Sequence, residues 1–175
     1  MTQPKEPSGP YRFRPPSAQD GKHIWELVQK TKVLDLNSVY LYMLLGHHFA
    51  ATCVVAEQGN NLVGFVSGYL QPGHPHTYFL WQVGVHPEHQ GQGLATQMVQ
   101  QILTRPQLAH LQYLETTVSP SNLGSRRLFE KIAKQQKCAL EELPGFPESF
   151  FPPGSQHEAE PLLRLGPFKS RVKRS

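Results

Sequence analysis

Residues 83–95 read Val-Gly-Val-His-Pro-Glu-His-Gln-Gly-Gln-Gly-Leu-Ala and decide the fold of this 175-residue chain. A β-branched strand ends, a polar loop with glycines follows, and a helix with apolar residues at every fourth position begins. Glycine lets a backbone approach a ligand closely. The first turn of a helix offers unpaired N–H groups and the positive end of its dipole. The stretch therefore predicts a cradle for a pyrophosphate.

This loop lacks the marks of two familiar nucleotide-binding motifs. No Gly-Lys-Ser or Gly-Lys-Thr follows it, so it is not a Walker A loop. No Gly-x-Gly-x-x-Gly is present either, which argues against a dinucleotide fingerprint. Taken alone, a glycine-containing turn between a strand and a helix is equally typical of ordinary tight turns.

Composition indicates one globular domain without a nucleic-acid-binding face. Hydrophobic residues make up 38% of the chain and charged residues 17%. The formal charge of +4 depends on four basic residues near the C-terminus, Lys169, Arg171, Lys173 and Arg174. The remaining 13 basic residues balance 13 acidic ones, so a phosphodiester backbone is not an expected partner. We expect a domain over residues 11–167, with flexible tails at residues 1–10 and at the basic residues 168–175.

The cysteines, the histidines and the hydropathy pattern indicate where the protein resides and whether it binds a metal. Cys53 and Cys138 lack metal-ligand spacing, and free thiols are typical of a reducing compartment. No signal peptide precedes the domain, and no apolar stretch approaches the ~20 residues of a membrane helix. The histidine pairs have no carboxylate or cysteine partner at a recognised spacing. We therefore expect a cytoplasmic protein without a metal and without a membrane partner.

Hydrophobic periodicity predicts the order strand, two helices, three strands, helix, strand, helix and two strands. We expect the helices to begin after residues 17–20, at Asn37 or Ser38, after the loop 87–93 and at Asn122. The expected strands cover residues 11–14, 51–57, 62–70, 78–86, 112–118, 138–142 and 160–165. This is an α+β fold, in which helices flank a central mixed sheet. The strand at 78–86 is apolar on both faces and so takes a central place in the sheet, and the long loop 143–156 is expected to be functional.

Val85-x-Pro87, Gln90-x-x-Gly93-x-Ala95 and the later strand–Asn122–helix unit together resemble the GNAT superfamily of N-acetyltransferases. The resemblance implies the acyl-CoA N-acyltransferase fold, with acetyl-CoA as the acetyl donor. It implies that the pyrophosphate binds main-chain N–H groups and that the pantetheine pairs along a strand, where a backbone N–H polarises the acetyl carbonyl. The implied cofactor contacts are Val83, Gly84, Val85, Gln90, Gly91, Gln92, Gly93, Leu94, Ala95, Asn122 and Ser125.

Longer stretches are similar to the diaminobutyrate acetyltransferase family of ectoine biosynthesis, in the same order and spacing from about residue 11 to residue 167. The most specific pieces are Asp-Leu-Asn-Ser at 35–38 and Trp-Gln-Val-Gly-Val at 81–85. This resemblance implies transfer of acetyl from acetyl-CoA to the 4-amino group of L-2,4-diaminobutyrate. It also implies a homodimer.

Acetyl transfer requires a neutral amine, so a base or a water chain must accept a proton from the alkyl ammonium. The candidate catalytic residues are Asp35, Trp81 and Glu158. The carboxylates would bind the cationic substrate, and the indole would form an apolar side of the site or stack on the cation. The candidate substrate-binding residues are Asp35, Asn37, Tyr40, Trp81, His157, Glu158 and Glu160. Each has a plainer interpretation as well: a helix cap or solvated loop for Asp35, core packing for Tyr40 and Trp81, and an exposed turn at 157–160.

One position departs from the superfamily pattern. Many members carry a tyrosine seven residues after the asparagine, where it protonates the departing thiolate. Phe129 stands at that position in this chain and has no proton to donate. The general acid is therefore unassigned, and water is the simplest proton source.

Three alternatives stay open at the level of sequence. The first is a GNAT enzyme that acts on another small amine or a polyamine, and the second is a protein N-terminal acetyltransferase. The third is a non-catalytic module that binds acetyl-CoA. Acceptor profiling and amine-dependent release of thiol distinguish them.

Overall fold

A computed structural model describes residues 11–169 of the chain. The expected N-terminal tail and residues 170–175 of the expected basic tail lie outside the described residues. The chain separates into two compact units. The first contains residues 11–67 and 82–102, and the second contains residues 68–81 and 103–169.

Within the described range, strands and helices follow in the predicted order. They are β1 (Arg12–Arg14), α1 (Gly21–Thr31), α2 (Val39–His48), β2 (Val54–Gln58), β3 (Asn61–Gln71), β4 (His74–Val85), α3 (Leu94–Leu103), β5 (Tyr113–Thr117), α4 (Leu123–Gln136), β6 (Ala139–Phe146) and β7 (Glu160–Gly166). The strands form a sheet in the order β1-β2-β3-β4-β5-β7-β6. β4 pairs with β5 in parallel, whereas β1–β2, β2–β3, β5–β7 and β6–β7 are antiparallel. The mixed sheet and the central place of β4 are therefore confirmed.

Three predicted boundaries are wrong. Residues 50–52 form a 3-10 turn, so β2 begins at Val54 rather than at residue 51. The predicted loop 71–77 is largely strand, because β3 and β4 continue to a tight turn in which Gly73 has φ 78°. β6 extends into the predicted loop 143–156 and pairs with β7 as far as Phe146 opposite Glu160. In the second and third cases, pairing between strands overrides the local preference of proline and glycine for loops.

The first unit has an apolar core between its helices and its strands. The core contains Ile24, Leu27, Val28, Tyr42, Leu45, Val55 and Phe65. Helix α2 packs closely on the turn before α1, because a Cβ on Gly46 would lie 2.2 Å from the Ser17 carbonyl oxygen. Gly46 therefore occupies the last turn of α2, despite its poor helix propensity, to permit this contact. No helix within residues 11–169 is long and apolar enough to cross a membrane.

A charged network ties β1, the start of α1 and β2 together. The Arg14 guanidinium donates to both carboxylate oxygens of Asp20 at 2.8 Å and to Glu57 at 2.5 Å. The Ser17 N–H also donates to Asp20, at 2.6 Å. These hydrogen bonds, above all those from Arg14, lower the pKa of Asp20 from 3.8 to about 2. The network fixes the entry into α1.

The second unit contains a buried carboxylate of its own. Glu115 on β5 is 3% exposed. It accepts hydrogen bonds from Arg164 Nε at 2.6 Å and from Gln71 Nε2 at 2.5 Å. Because a buried charge must be paired, this contact explains an acidic side chain in the middle of a strand. Phe129, Ile132 and Ala133 form the buried side of α4.

Asp20→Asn should lower the free energy of unfolding by about 2 kcal/mol at pH 7, because it leaves Arg14 with one fewer charged partner in a half-buried place. The pKa of the folded-state carboxyl, about 2, lies below its ordinary value. The wild-type advantage should therefore be complete above pH 4 and decline as the pH falls towards 2. Denaturant unfolding over this pH range measures it.

Glu26→Gln is the matched control, since the Glu26 side chain is 43% exposed and makes only surface contacts, with Lys22 at 3.8 Å and with His23 at 3.3 Å. We expect a change of less than about 0.5 kcal/mol at any pH. A gap between Asp20→Asn and wild type that does not vary with pH would contradict the assigned role.

Candidate active site

The glycine-containing loop leaves β4 through a hydrogen-bonded turn. The His86 N–H donates to the Val63 carbonyl at 2.8 Å, which ends the pairing of β4. Residues 87–89 form a 3-10 turn, and the His86 side chain accepts from the N–H of Glu88. Gly91 and Gly93 then take φ values of 75° and 77°. Other residue types rarely adopt this left-handed conformation, so the two glycines permit the path of the loop.

Side chains of the loop hold its own backbone. Gln90 Nε2 donates to the Val85 carbonyl at 3.1 Å, and Gln92 Nε2 donates to the Glu88 carbonyl at 3.2 Å. The Tyr11 hydroxyl donates to Gln92 Oε1 at 3.0 Å. These side chains therefore brace the loop itself, and the Gln90 N–H adds a further hydrogen bond within it, to the Pro87 carbonyl at 3.4 Å.

Helix α3 starts directly after the second of these glycines. Gln97 N–H donates to the Gly93 carbonyl at 3.1 Å and so makes a helical hydrogen bond from the first turn. The N–H groups of residues 94–96 precede it and lie in the turn where a helix has no acceptors of its own. Leu94 and Met98 are buried and anchor the helix. The loop that the sequence predicts to be an anion cradle thus leads directly into the positive end of a helix dipole.

Strand β4 leads into this cradle. Its pairing with β5 covers residues 77–79 opposite residues 113–115, so β4 continues to Val85 beyond that ladder. Tyr78, Leu80 and Gln82 are buried, whereas Trp81 on the other face is 40% exposed. Core packing, the plainer interpretation of Trp81, therefore does not account for its indole.

The loop between α1 and α2 carries the candidate residues of the first unit. Ser38, rather than Asp35 or Asn37, caps α2, because its side chain accepts the Leu41 N–H at 3.2 Å. The Asp35 side chain is exposed. Tyr40 is 67% exposed, so it is not a core residue. The capping interpretation of Asp35 and the core interpretation of Tyr40 are both wrong.

The second unit gathers the acidic candidates at the end of β5. Glu158 Oε2 accepts the Ser121 N–H at 3.0 Å. Glu160 Oε2 accepts the Thr117 hydroxyl at 2.5 Å. The exposed His157 stacks on Phe151 with ring centroids 4.9 Å apart. The interpretation of 157–160 as an exposed turn thus holds for His157 and Glu158, while the two carboxylates are also hydrogen-bonded to the end of β5 and to the turn after it.

Asn122 and Phe129 have clear positions in α4. Asn122 is the N-cap, and its side-chain oxygen accepts the Ser125 N–H at 3.0 Å. Its amide nitrogen retains donors for a ligand. Phe129 is 1% exposed and belongs to the core, so it supplies no proton.

Sequence reasoning missed Gln82 and Tyr42. Gln82 is 5% exposed, accepts the Tyr42 hydroxyl at 3.2 Å and donates to the Asp35 carbonyl at 2.9 Å. A signal was present, because Gln82 is the only amide in the strand segment Tyr-Phe-Leu-Trp-Gln-Val-Gly-Val at 78–85. A buried amide of this kind must find partners.

His86, Glu88 and His89 are the one group of three possible metal ligands among residues 11–169, with ligand atoms within 4.8 Å of one another. Sequence reasoning had not grouped Glu88 with these histidines. His86 Nδ1 accepts the Glu88 N–H, and the Tyr11 hydroxyl lies 3.1 Å from His89 Nδ1. Because these contacts shape the turn before the cradle, we assign the group a structural role.

Comparisons with known proteins agree with this geometry. The model of the acetyltransferase (GNAT) family matches residues 22–133. An L-2,4-diaminobutyric acid acetyltransferase from Bordetella parapertussis is 46% identical over 159 residues, which are 90% of this chain and 85% of the relative. One from Halomonas elongata is 42% identical over 165 residues, which are 93% of this chain and 84% of the relative.

A solved structure is similar over nearly the whole chain. It is the diaminobutyrate acetyltransferase from Paenibacillus lautus in complex with its substrate L-2,4-diaminobutyric acid and coenzyme A. The two proteins are 42% identical, with a TM-score of 0.89, and the match covers 93% of this chain and 98% of the other. The expected fold is confirmed.

Proposed function

Because the chain belongs to the L-2,4-diaminobutyric acid acetyltransferases of the GNAT family, we propose that it transfers acetyl from acetyl-CoA to the 4-amino group of L-2,4-diaminobutyrate. This reaction is a step of ectoine biosynthesis. The observation that carries the proposal is the similarity, over 93% of the chain, to a structure that contains both diaminobutyric acid and coenzyme A. The glycine loop and the start of α3 supply a matching anion cradle.

The donor is bound mainly by backbone. The pyrophosphate accepts hydrogen bonds from main-chain N–H groups of residues 90–95. The pantetheine pairs along Val83–Val85, where β4 continues beyond its ladder with β5. A β4 N–H polarises the acetyl carbonyl and stabilises the oxyanion that forms on it. The amide of Asn122 and the first turn of α4, with Ser125, contact the cofactor arm.

The acceptor is a small molecule with two ammonium groups and a carboxylate. Asp35 binds an ammonium through its exposed carboxylate, and Trp81 offers an indole face to the cation. Glu158 and Glu160 add negative charge, and Asn37, Tyr40 and His157 provide further polar contacts. Each role follows from the family resemblance together with the exposure or hydrogen bonding of the side chain.

Chemistry needs the terminal amine in its neutral form. A carboxylate among Asp35 and Glu158, directly or through water, takes the proton, and the amine nitrogen then attacks the thioester carbon. Attack leaves a positively charged nitrogen, which gives up its second proton to water. Collapse of the tetrahedral intermediate then breaks the C–S bond and releases coenzyme A as a thiolate. Water protonates that thiolate, because Phe129 has no proton to give.

Position selects the nitrogen that reacts. The α-amino and α-carboxylate groups serve as a handle, which holds the 4-amino group near the thioester in a near-attack pose. A substrate with one methylene fewer or one more holds its terminal amine away from the thioester carbon. The closed acceptor site that this implies also argues against a protein N-terminus as substrate.

Two further features belong to the same proposal. Cys53 and Cys138 are free thiols, which fits the reducing cytoplasm. The homodimer implied by the family fits the exposed apolar side chains of each unit, such as Val33 in the first and Phe150 in the second. Light scattering of the purified protein measures the oligomeric state.

Gly93→Val should raise the Kd for acetyl-CoA by at least about tenfold, because a β-branched residue resists the left-handed conformation that shapes the cradle. Gly59→Val is the matched control, since Gly59 also has a positive φ, 59°, and lies in the β2–β3 turn with open space around it. It should cost stability without changing acetyl-CoA affinity. Equal affinities for both variants by calorimetry would refute the placement of the pyrophosphate.

Asp35→Asn should raise the KM for diaminobutyrate about ten- to a hundredfold, because it removes a charge-assisted contact to an ammonium. Acetyl-CoA affinity should stay close to that of the wild type. Steady-state kinetics and calorimetry measure the two, with Glu26→Gln as the control for loss of an exposed charge in the same unit. An unchanged KM and kcat would leave Asp35 without a role in acceptor binding.

Regiochemistry tests the proposed reaction itself. We expect product NMR to show acetyl on the 4-amino nitrogen, and kcat/KM for 2,3-diaminopropionate and ornithine to be at least about tenfold lower. Faster turnover of ornithine or of a polyamine would favour the rival acetyltransferase for another amine. Binding of acetyl-CoA without amine-dependent thiol release would favour the non-catalytic module.

A further inference from the structure

The Gln82 side chain bridges the core of the first unit and the loop that carries Asp35. Its amide nitrogen donates to the Asp35 carbonyl at 2.9 Å, and its amide oxygen accepts the Tyr42 hydroxyl at 3.2 Å. The side chain is 95% buried, in a strand whose neighbouring inward residues are apolar. A buried amide is costly to leave unpaired, so both hydrogen bonds are held firmly.

The orientation of this amide is determined by its partners. A backbone carbonyl only accepts hydrogen bonds, so the end of the Gln82 amide that faces Asp35 must be the nitrogen. Tyr42 is fully buried and meets Phe65 edge to face, with ring centroids 6.1 Å apart, which fixes the direction of its hydroxyl. The core thus sets the position of the Gln82 donor.

The loop that receives this donor is otherwise exposed. Lys32 ends α1 with φ 57°, and Val33, Asp35 and Leu36 after it are exposed. Asn37 Nδ2 also reaches the Asp35 carbonyl, but at 3.4 Å. The strong hydrogen bond from Gln82 therefore locates the backbone from which the Asp35 carboxylate projects.

We propose that Gln82 is a positioning residue that fixes the distance between Asp35 and strand β4 and thereby selects the length of the acceptor. This inference rests on the proposed function, in which Asp35 holds the acceptor and Val83–Val85 hold the pantetheine. Gln82 directly precedes that stretch of β4. The same strand therefore carries the thioester and, through one side chain, the anchor of the acceptor. A misplacement of about 1 Å at such a site can lower the rate about a hundredfold.

Gln82→Met tests the inference, because methionine has a similar shape but no hydrogen-bonding amide. We expect the KM for diaminobutyrate to rise about five- to tenfold, the loss associated with one buried hydrogen bond. The ratio of kcat/KM for diaminobutyrate over ornithine should fall by at least about fivefold, while the Kd for acetyl-CoA stays within about twofold of the wild type.

Two further variants separate positioning from stability. Gln82→Glu keeps an oxygen for the Tyr42 hydroxyl but presents a second oxygen to the Asp35 carbonyl. It should therefore lower the ratio of kcat/KM for diaminobutyrate over ornithine at least as much as Gln82→Met does. Thr52→Val removes a different buried hydrogen bond of this unit, from the Thr52 hydroxyl to the Phe49 carbonyl at 3.1 Å. It should lower the melting temperature without changing the selection ratio.

The outcomes are distinguishable. If the wild-type protein does not acetylate diaminobutyrate, the proposed function fails and this inference fails with it. If the wild-type protein does so, and folded Gln82 variants keep KM and the selection ratio within about twofold, the function stands and the role of Gln82 is overturned. A lower selection ratio in both Gln82 variants, with that of Thr52→Val unchanged, supports it.

Discussion

The unpaired N–H groups at the start of α3 are the constraint on which the site depends. They form a ligand cradle only if the preceding loop keeps its path, and that path requires left-handed backbone at Gly91 and Gly93. The loop is in turn held by the Gln90 and Gln92 side chains. The polar side chains therefore maintain a backbone shape, and in the proposed function that backbone binds the anion. The buried apolar side of α3 packs on β3, where a Cβ on Gly64 would lie 2.9 Å from the Met98 side chain.

The carboxylates proposed to bind the amine substrate are organised in a different way. Glu158 and Glu160 are tied to Ser121 and Thr117 through their carboxylates. Asp35 is held instead through its backbone carbonyl, while its carboxylate is exposed. A carboxylate with protein donors has a fixed position but less capacity left for a ligand. One that is fixed only at the backbone keeps all its acceptor sites for a cation.

Much of the fold could be predicted because its signals are local. Periodicity predicted the helices and strands, and the glycines at 91 and 93 predicted the tight path of the loop between β4 and α3. The strand content of residues 71–77 could not be predicted, because proline and glycine favour a loop there and only pairing between β3 and β4 overrides them. Gln82 was missed for a similar reason. The sequence shows that a polar residue stands in an apolar strand. It does not show the hydrogen-bond partners of that residue, Tyr42 and Asp35, which are 40 and 47 positions away along the chain.

The contact of Tyr11 with the cradle has a practical consequence for handling the protein. Tyr11 stands at the beginning of the domain, yet its hydroxyl reaches Gln92 and His89, which are 81 and 78 positions later. An affinity tag or a truncation that disturbs Tyr11 therefore also perturbs the loop proposed to bind acetyl-CoA, even though that loop lies far away in sequence. A tag at the C-terminal end, or a cleavable leader that leaves Tyr11 undisturbed, suits quantitative work on this enzyme better.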